Sequence, residues 1–136
     1  MADVKISELP AAAALTGAET LPGVQGGATV KLTVQALQRI PVNTQTGTAY
    51  TLVAADGGKM VRCNNAAAIS LTVPGSGVMA VGDVVMVRQV GAGQVTASGA
   101  TLNVPAGVSA KTRAPGSVMS LHCVAADTFD VSGDLA

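Results

Sequence analysis

The most constraining feature of this sequence is how often its apolar runs are interrupted. From about Thr44 onward, short runs rich in Val, Thr, Ile and Met alternate with turns made of Gly, Pro, Asn and Asp. Runs of this length and composition are typical of β-strands. Strands are predicted at Ala49–Val53, Lys59–Cys63, Ile69–Val73, Val84–Val90, Gln94–Ala97, Thr101–Val104, Ser117–Val124 and Thr128–Ser132, with Ala110–Arg113 as a further candidate.

This spacing of strands and turns predicts an all-β domain over residues 44–136, either jelly-roll-like or a two-sheet β-sandwich. Ile69–Val73 alternates between apolar and polar residues, so one face of that strand is expected to be buried and the other solvated. Val84–Val87 is apolar on both faces. It is therefore either a central strand or one covered by another subunit.

Residues 1–43 are predicted to form an extended N-terminal arm. Pro10, Pro22 and Pro41, together with several glycines, interrupt this segment too often for a long helix or a central strand. A short helix is predicted near 33–40, with Thr33 as its N-cap and Pro41 ending it. We expect the arm to reach a neighbouring subunit; the alternative is a terminus that is disordered or folds back on its own domain.

The composition favours a surface that is covered by other proteins. Only 12% of the residues are charged, against about 25% in typical globular chains. The aromatic residues are Tyr50 and Phe129 alone, and the formal net charge is zero. We infer that much of the surface contacts protein; the alternative is a monomer with an uncharged polar surface. Neither the charge nor the aromatic content favours binding to nucleic acid.

The residue types that carry catalysis or bind metals are few and scattered. His122 is adjacent to Cys123, and neighbours in a strand point to opposite faces, so these two cannot act as a base and a nucleophile. A contact between Cys63 and His122 across strands is left open, as is a disulfide between the two cysteines. No spacing matches a metal site or a phosphate-binding loop. We therefore predict no enzyme activity, no cofactor, no metal and no small-molecule substrate.

The sequence also shows no targeting signal and no membrane-spanning segment. The first residues lack a basic segment followed by an apolar core, which predicts no secretory signal. No apolar run approaches the ~20 residues of a membrane-spanning helix. We expect the protein to remain in the cytoplasm until it is assembled into something larger, without a membrane partner.

Several segments resemble those of structural proteins from tailed-bacteriophage particles. The N-terminal segments resemble sequences at the start of such virion proteins, and the later ones resemble the module that often follows. The matching segments are Ile6–Ala12, Leu15–Glu19, Leu21–Gly27, Tyr50–Lys59, Ile69–Pro74, Val90–Thr96 and Asp130–Leu135.

The resemblance implies one of two placements in the particle. The first is a capsid cement, or decoration, protein of a short-tailed phage, with a jelly-roll-like fold, lying on the outer capsid surface where major capsid subunits meet. The second is a particle-attachment protein of a tail fibre or tailspike. The chain ends directly after the β domain, without a fibre shaft, and this favours the first. The implied partners are the major capsid protein and further copies of the chain, as a dimer or alternatively a trimer. The chain is then expected in the host cytoplasm before assembly.

Two segments are predicted to provide the contact surface: the arm over Ile6–Gly27 and the apolar strand over Val84–Val90. The predicted contact residues are Ile6, Leu9, Leu15, Leu21, Val24, Val84, Met86 and Arg88.

Overall fold

The computed structural model describes residues 16–136 and divides the chain into two compact units, Met1–Arg39 and Ile40–Ala136. The described part of the first, residues 16–39, is called the N-terminal unit below. The second is called the β domain. The chain is mostly β-structure, as predicted.

The N-terminal unit contains a β-hairpin followed by a short helix. Strands β1 (Thr20–Gln25) and β2 (Ala28–Thr33) pair antiparallel, and Gly26 and Gly27 form the two-residue turn with φ of 57° and 79°. Helix α1 spans Val34–Gln38, and the Thr33 hydroxyl accepts a hydrogen bond from the Ala36 N–H at 3.1 Å. Such a side-chain cap satisfies one of the free N–H groups at a helix start.

The hairpin corrects the prediction of an extended arm for residues 20–33. A two-residue hairpin turn needs positive φ at both positions, which Gly26 and Gly27 adopt without steric cost. Pro22 is compatible with β1 because both strands of a two-stranded sheet are edges, where a missing N–H need not break a ladder. The predicted contact residues Ile6, Leu9 and Leu15 lie outside the described residues.

The β domain contains nine further strands within the described chain. Their bounds are β3 (Val42–Gln45), β4 (Ala49–Thr51), β5 (Met60–Cys63), β6 (Ile69–Val73), β7 (Val84–Gln89), β8 (Val95–Gly99), β9 (Thr101–Asn103), β10 (Val118–Ala125) and β11 (Thr128–Gly133). Strand β3 was not among the predicted strands. The candidate strand at Ala110–Arg113 forms only isolated bridges, from Lys111 to Thr96 and from Thr112 to Leu135.

The strands form a six-stranded sheet in the order β3-β5-β7-β10-β11-β9 and a three-stranded sheet in the order β4-β6-β8. Strands β3, β5 and β7 are parallel to one another, and so are β4, β6 and β8. The chain therefore passes alternately from one sheet to the other in three stacked coils, β3–β4, β5–β6 and β7–β8, wound like a short parallel β-helix. The antiparallel strands β10 and β11 follow β7 in the larger sheet.

These pairings differ from those of a jelly roll, one of the two architectures expected from the sequence. A jelly roll is built from antiparallel strands, whereas each coil here places its strand parallel to the strand one coil earlier. Alternation of apolar and polar residues has the same period of two in both cases, so the strand pattern alone did not distinguish them.

The core lies between the inner faces of the two sheets. In β6, Ile69, Leu71 and Val73 are buried while Ser70 and Thr72 are exposed, as the alternation predicted. The larger sheet contributes Phe129 and the inner residues of β7 and β10 to the same cluster. Strand β7 is a central strand, and its outward residues Val84 and Met86 retain solvent exposure.

Gly91 and Gly93 allow the turns of successive coils to approach closely. The Gly93 N–H donates to the Asn65 carbonyl of the preceding coil at 2.9 Å. A Cβ at Gly93 would overlap the carbonyl oxygen of Ala67, and one at Gly91 would overlap that of Asn65. These glycines are therefore needed for coil stacking, beyond the turn role that the sequence indicated.

Candidate interaction surfaces

The N-terminal unit presents apolar side chains to solvent. No residue of the hairpin strands or of α1 is fully buried. Val24 is 77% exposed, Leu21 50% and Leu37 60%. Leu21 and Val24 are predicted contact residues, and Leu37 was missed because it belongs to a helix of only five residues. A hairpin of two strands is marginal by itself in water, so a partner would stabilise it.

Local polar contacts hold the entry to this unit. The Glu19 carboxylate accepts hydrogen bonds from the N–H groups of Thr16 and Gly17, both at 2.8 Å, and from the Thr16 hydroxyl at 2.9 Å. These hydrogen bonds, that of the Thr16 N–H foremost, lower the pKa of Glu19 to about 2. The Glu19 and Gly17 carbonyls accept from the N–H groups of Val34 and Gln35. The chain before β1 is thereby fastened to the start of α1.

A second surface is formed by the outward side chains of β3, β5 and β7, and is called the outer sheet face. Its members alternate with buried residues along β5 and β7 and with partly buried residues along β3. Three of them, Val84, Met86 and Arg88, are predicted contact residues. The complete set is Val42, Thr44, Met60, Arg62, Val84, Met86 and Arg88.

Strand register arranges this face in two rows. Val42, Met60 and Met86 lie opposite one another and form an apolar row. Thr44, Arg62 and Arg88 form the next row, so that two arginines occupy neighbouring strands at the same level. Neighbouring strands are ~4.8 Å apart, and like charges in directly opposite positions repel.

Neither of the two arginines forms an ion pair with an acid of the described residues. Within residues 16–136, the ion pair is that of Arg113 with Asp134, at 2.7 Å between Nε and Oδ1, and it lies elsewhere in the β domain. Neither Arg62 nor Arg88 has a hydrogen-bond partner for its side chain among the described residues. Arg62 was missed in the sequence because alternation in a four-residue strand does not say which residues face outward.

Cys63 and His122 point to opposite sides of the same sheet. Cys63 is fully buried on the inner face, whereas His122 is exposed on the outer face, so the contact left open from the sequence does not form. Both cysteines are free thiols, and no disulfide joins them. Burial raises the pKa of the Cys63 thiol to about 11. Burial, followed by the nearby Asp83 and Asp127 carboxylates, also raises the pKa of Cys123.

Asp56 is 1% exposed at the end of a 3-10 helix, Ala54–Asp56. Its carboxylate accepts from Asn43 Nδ2 at 2.8 Å, the Tyr50 hydroxyl at 2.8 Å and the Val53 N–H at 3.0 Å. Burial raises the pKa of Asp56, but these three hydrogen bonds outweigh it, and the net pKa lies below the usual value. Asp56, Asn43 and Tyr50 are called the Asp56 cluster below. The buried polar side-chain atoms of this cluster, which lies in the first coil, all have hydrogen-bond partners.

Within residues 16–136, no group of three or more His, Cys, Asp or Glu residues is placed to hold a metal ion, and there is no pocket. No described helix has the length and apolar character needed to cross a membrane. The Asp127 carboxylate accepts hydrogen bonds from the N–H groups of Ser76 and Gly77 at 2.9 Å each.

No protein-family model, curated protein or solved structure matches this chain.

Proposed function

We propose that this chain is a structural protein of a tailed-bacteriophage particle, a cement protein that binds the outside of the assembled capsid and bridges major capsid subunits. The observation that carries the proposal is the N-terminal unit, which is folded yet leaves Leu21, Val24 and Leu37 exposed. A segment with this character gains stability when a partner covers it. The segments that resemble phage virion proteins favour another protein of the phage particle as this partner.

The outer sheet face offers a second contact. Its apolar row fits a neutral protein surface, and the Arg62–Arg88 pair fits carboxylates. Binding of acidic side chains would relieve the repulsion between the two guanidinium groups, which favours the bound state. Within this proposal, the domain is best described as a two-sheet β-sandwich, because both sheets line one core; the parallel strands argue against a jelly roll.

Mass action explains how such a protein stabilises a shell. A protein that contacts two capsid subunits at once binds the assembled lattice and not the separated subunits, and this preference stabilises the lattice. Many identical contacts across the shell then act together.

The proposal is tested with the purified chain and empty expanded capsids of the phage that encodes it. The wild-type chain should bind over the whole lattice in electron micrographs and raise the melting temperature of the capsids. Val24→Lys should weaken binding at least about tenfold, because it places a charge in a desolvated contact.

Val81→Lys is the matched control, since Val81 is a 65% exposed valine of the β domain that belongs to neither of the two surfaces. It should bind like the wild type. Chain located at one vertex or on the tail alone would contradict a cement role and indicate particle attachment instead. Equal binding by the Val24 and Val81 variants would show that the N-terminal unit is not the contact.

A further inference from the structure

Each strand of the first coil is paired on one side only and forms an edge of its sheet within the β domain. Strand β3 is an edge of the six-stranded sheet and β4 is an edge of the three-stranded sheet. At the other end of the coil stack, β7 is followed by β10, and β8 is bridged at Thr96 by Lys111. Within the β domain taken by itself, the stack is thus covered at one end and open at the other.

Hydrogen bonding shows which backbone groups are free on β3. The carbonyls of Pro41 and Gln45 accept from the N–H groups of Met60 and Asn64, at 2.9 and 2.8 Å. In a parallel ladder, alternate residues bond to the same neighbour. Val42 and Thr44 therefore direct their N–H and carbonyl groups away from β5.

Strand β4 has the same arrangement. The Thr48 carbonyl accepts from the Ser70 N–H at 2.8 Å, and the Leu52 N–H donates to the Thr72 carbonyl at 3.0 Å. Ala49 and Thr51 consequently present their backbone groups outward. Both edges thus offer donors and acceptors to an additional strand.

This end of the coil stack also lacks the usual protection of a strand edge. Natural edge strands commonly carry charged residues that prevent pairing, whereas residues 40–55 contain none. Exposed apolar side chains flank the edges: Ile40 is 55% exposed, Val42 57% and Val53 48%. A two-fold axis places each residue near its own copy, so a charge-free edge is complementary to itself.

We infer that the open end of the first coil binds a second copy of this chain. Strand β3 pairs antiparallel with β3 of the copy, and β4 with β4 of the copy, so that each sheet continues across a two-fold axis. Isologous pairing uses the outward groups of Val42, Thr44, Ala49 and Thr51 on both sides. This inference goes beyond the proposed function and does not depend on it, since the dimer forms without a capsid.

The test is sedimentation equilibrium of the full chain over a range of concentrations. The wild type should fit a monomer–dimer equilibrium. An Ala49→Lys/Thr51→Lys double variant changes two exposed residues of β4 that lie outside the outer sheet face. It places like charges on both sides of the axis, which should weaken the dimer at least about tenfold. Thr101→Lys is the matched control, because Thr101 is an exposed residue of the other edge strand of the larger sheet, β9.

The control should dimerise like the wild type. A wild-type chain that is monomeric up to millimolar concentration, a trimer, or a dimer disrupted by the Thr101 variant alone would overturn the inference. Hydrogen exchange on the wild type provides a test without mutation: the amides of Val42 and Thr44 should be protected in concentrated but not in dilute solution. A chain that binds capsids but does not dimerise would overturn this inference and leave the cement proposal intact. A chain that dimerises but does not bind capsids would overturn the cement proposal and leave this inference intact.

Discussion

Arg62 and Arg88 lie directly opposite each other on the parallel strands β5 and β7, and both point away from the core. This relationship places two positive charges side by side with no acid to balance them within residues 16–136. In the isolated chain the pair is a small cost, since exposed like charges on paired strands repel by a few tenths of a kcal/mol to about 1 kcal/mol. When an acidic partner binds, its carboxylates offset this repulsion, so the same pair favours the bound state.

Arg88→Glu should therefore have opposite effects on folding and on binding. It replaces a repulsive pair by an attractive one, which should leave the free energy of unfolding unchanged or raise it by about 0.5 kcal/mol. Under the proposed function, capsid binding should fall at least about tenfold. Urea unfolding and capsid sedimentation measure the two quantities. Lys111→Glu makes the same change of charge off this face, and equal loss of binding in that variant would argue against a specific role for the pair.

The Asp56 cluster should make stability depend on acid. The pKa of Asp56 in the folded state lies below its ordinary value of 3.8. The charged carboxylate therefore stabilises the fold at pH values above 3.8, and this contribution is lost as the pH falls through the folded-state pKa. Asp56→Asn should cost about 2 kcal/mol at pH 7, because an amide replaces a buried charged acceptor. It should also flatten the dependence of unfolding free energy on pH below 4.

Urea unfolding from pH 7 to pH 2 checks both effects. Asp130→Asn is the control. Asp130 is exposed, and its carboxylate accepts a hydrogen bond only from the Asn103 side chain among the described residues. The substitution should therefore change the free energy of unfolding by less than about 0.5 kcal/mol. A wild-type pH profile that the Asp56 variant reproduces in full would mean that other groups cause the acid sensitivity.

Most strand positions of the β domain were predictable from the sequence, with β3 as the exception, but the pairing of the strands was not. The alternation in Ile69–Val73 correctly indicated its buried face because burial follows the period of two. The same period occurs in parallel and antiparallel sheets, so the coiled winding had no local signal. The hairpin was missed because Pro22 and Gly23 suggested interruption, whereas the pairing of β1 with β2 depends on the turn at Gly26-Gly27.

Which residues share the outer sheet face was predictable to a similar degree. Val84, Met86 and Arg88 were identified from one apolar strand, and they do lie on one outward face. Their neighbours Met60 and Arg62 come from a different part of the sequence and are placed beside them by register alone. The burial of Asp56 was not predictable, because the turn-like sequence Asp56-Gly57-Gly58 gives no indication that Asn43 and Tyr50 contact its carboxylate.

Gly93→Ala should be strongly destabilising. The added methyl group would overlap the Ala67 carbonyl, and backbone atoms in a stacked coil have little room to move. We expect a loss of about 3 kcal/mol or more in unfolding free energy, measured in urea. At Gly75 the nearest atoms to an added Cβ belong to Asp127 at 3.7 Å, so Gly75→Ala should be tolerated. Similar costs for the two variants would show that coil approach is not what requires glycine at position 93.

Thr112 should contribute to stability chiefly through its hydroxyl. This fully buried group donates to Gln89 Oε1 and accepts from the Val95 N–H at 2.9 Å, thereby linking the segment after β9 to β7 and β8. Thr112→Val keeps the shape and leaves both partners unsatisfied, at a cost of about 2 kcal/mol. Thr112→Ser keeps the hydroxyl and loses one methyl group, at a cost of about 1 kcal/mol. Thermal and urea unfolding should thus rank wild type above Ser and Ser above Val; the opposite order of the two variants would assign the role to packing.

The two thiols should be unreactive as long as the β domain is folded. Cys63 and Cys123 are both 0% exposed, and burial raises the pKa of each, to about 11 for Cys63, so little thiolate is present at pH 8 and none is accessible. Reaction with a thiol-specific disulfide reagent therefore requires opening of the sheets, and its rate should follow the fraction of opened protein. We expect the native rate to be at least about 1000-fold below that in 6 M urea, and the destabilised Thr112→Val variant to react faster than the wild type. Rapid modification of one thiol in the native wild type would instead identify an accessible, activated cysteine, which is incompatible with the packing of Cys63 and Cys123 inside the core.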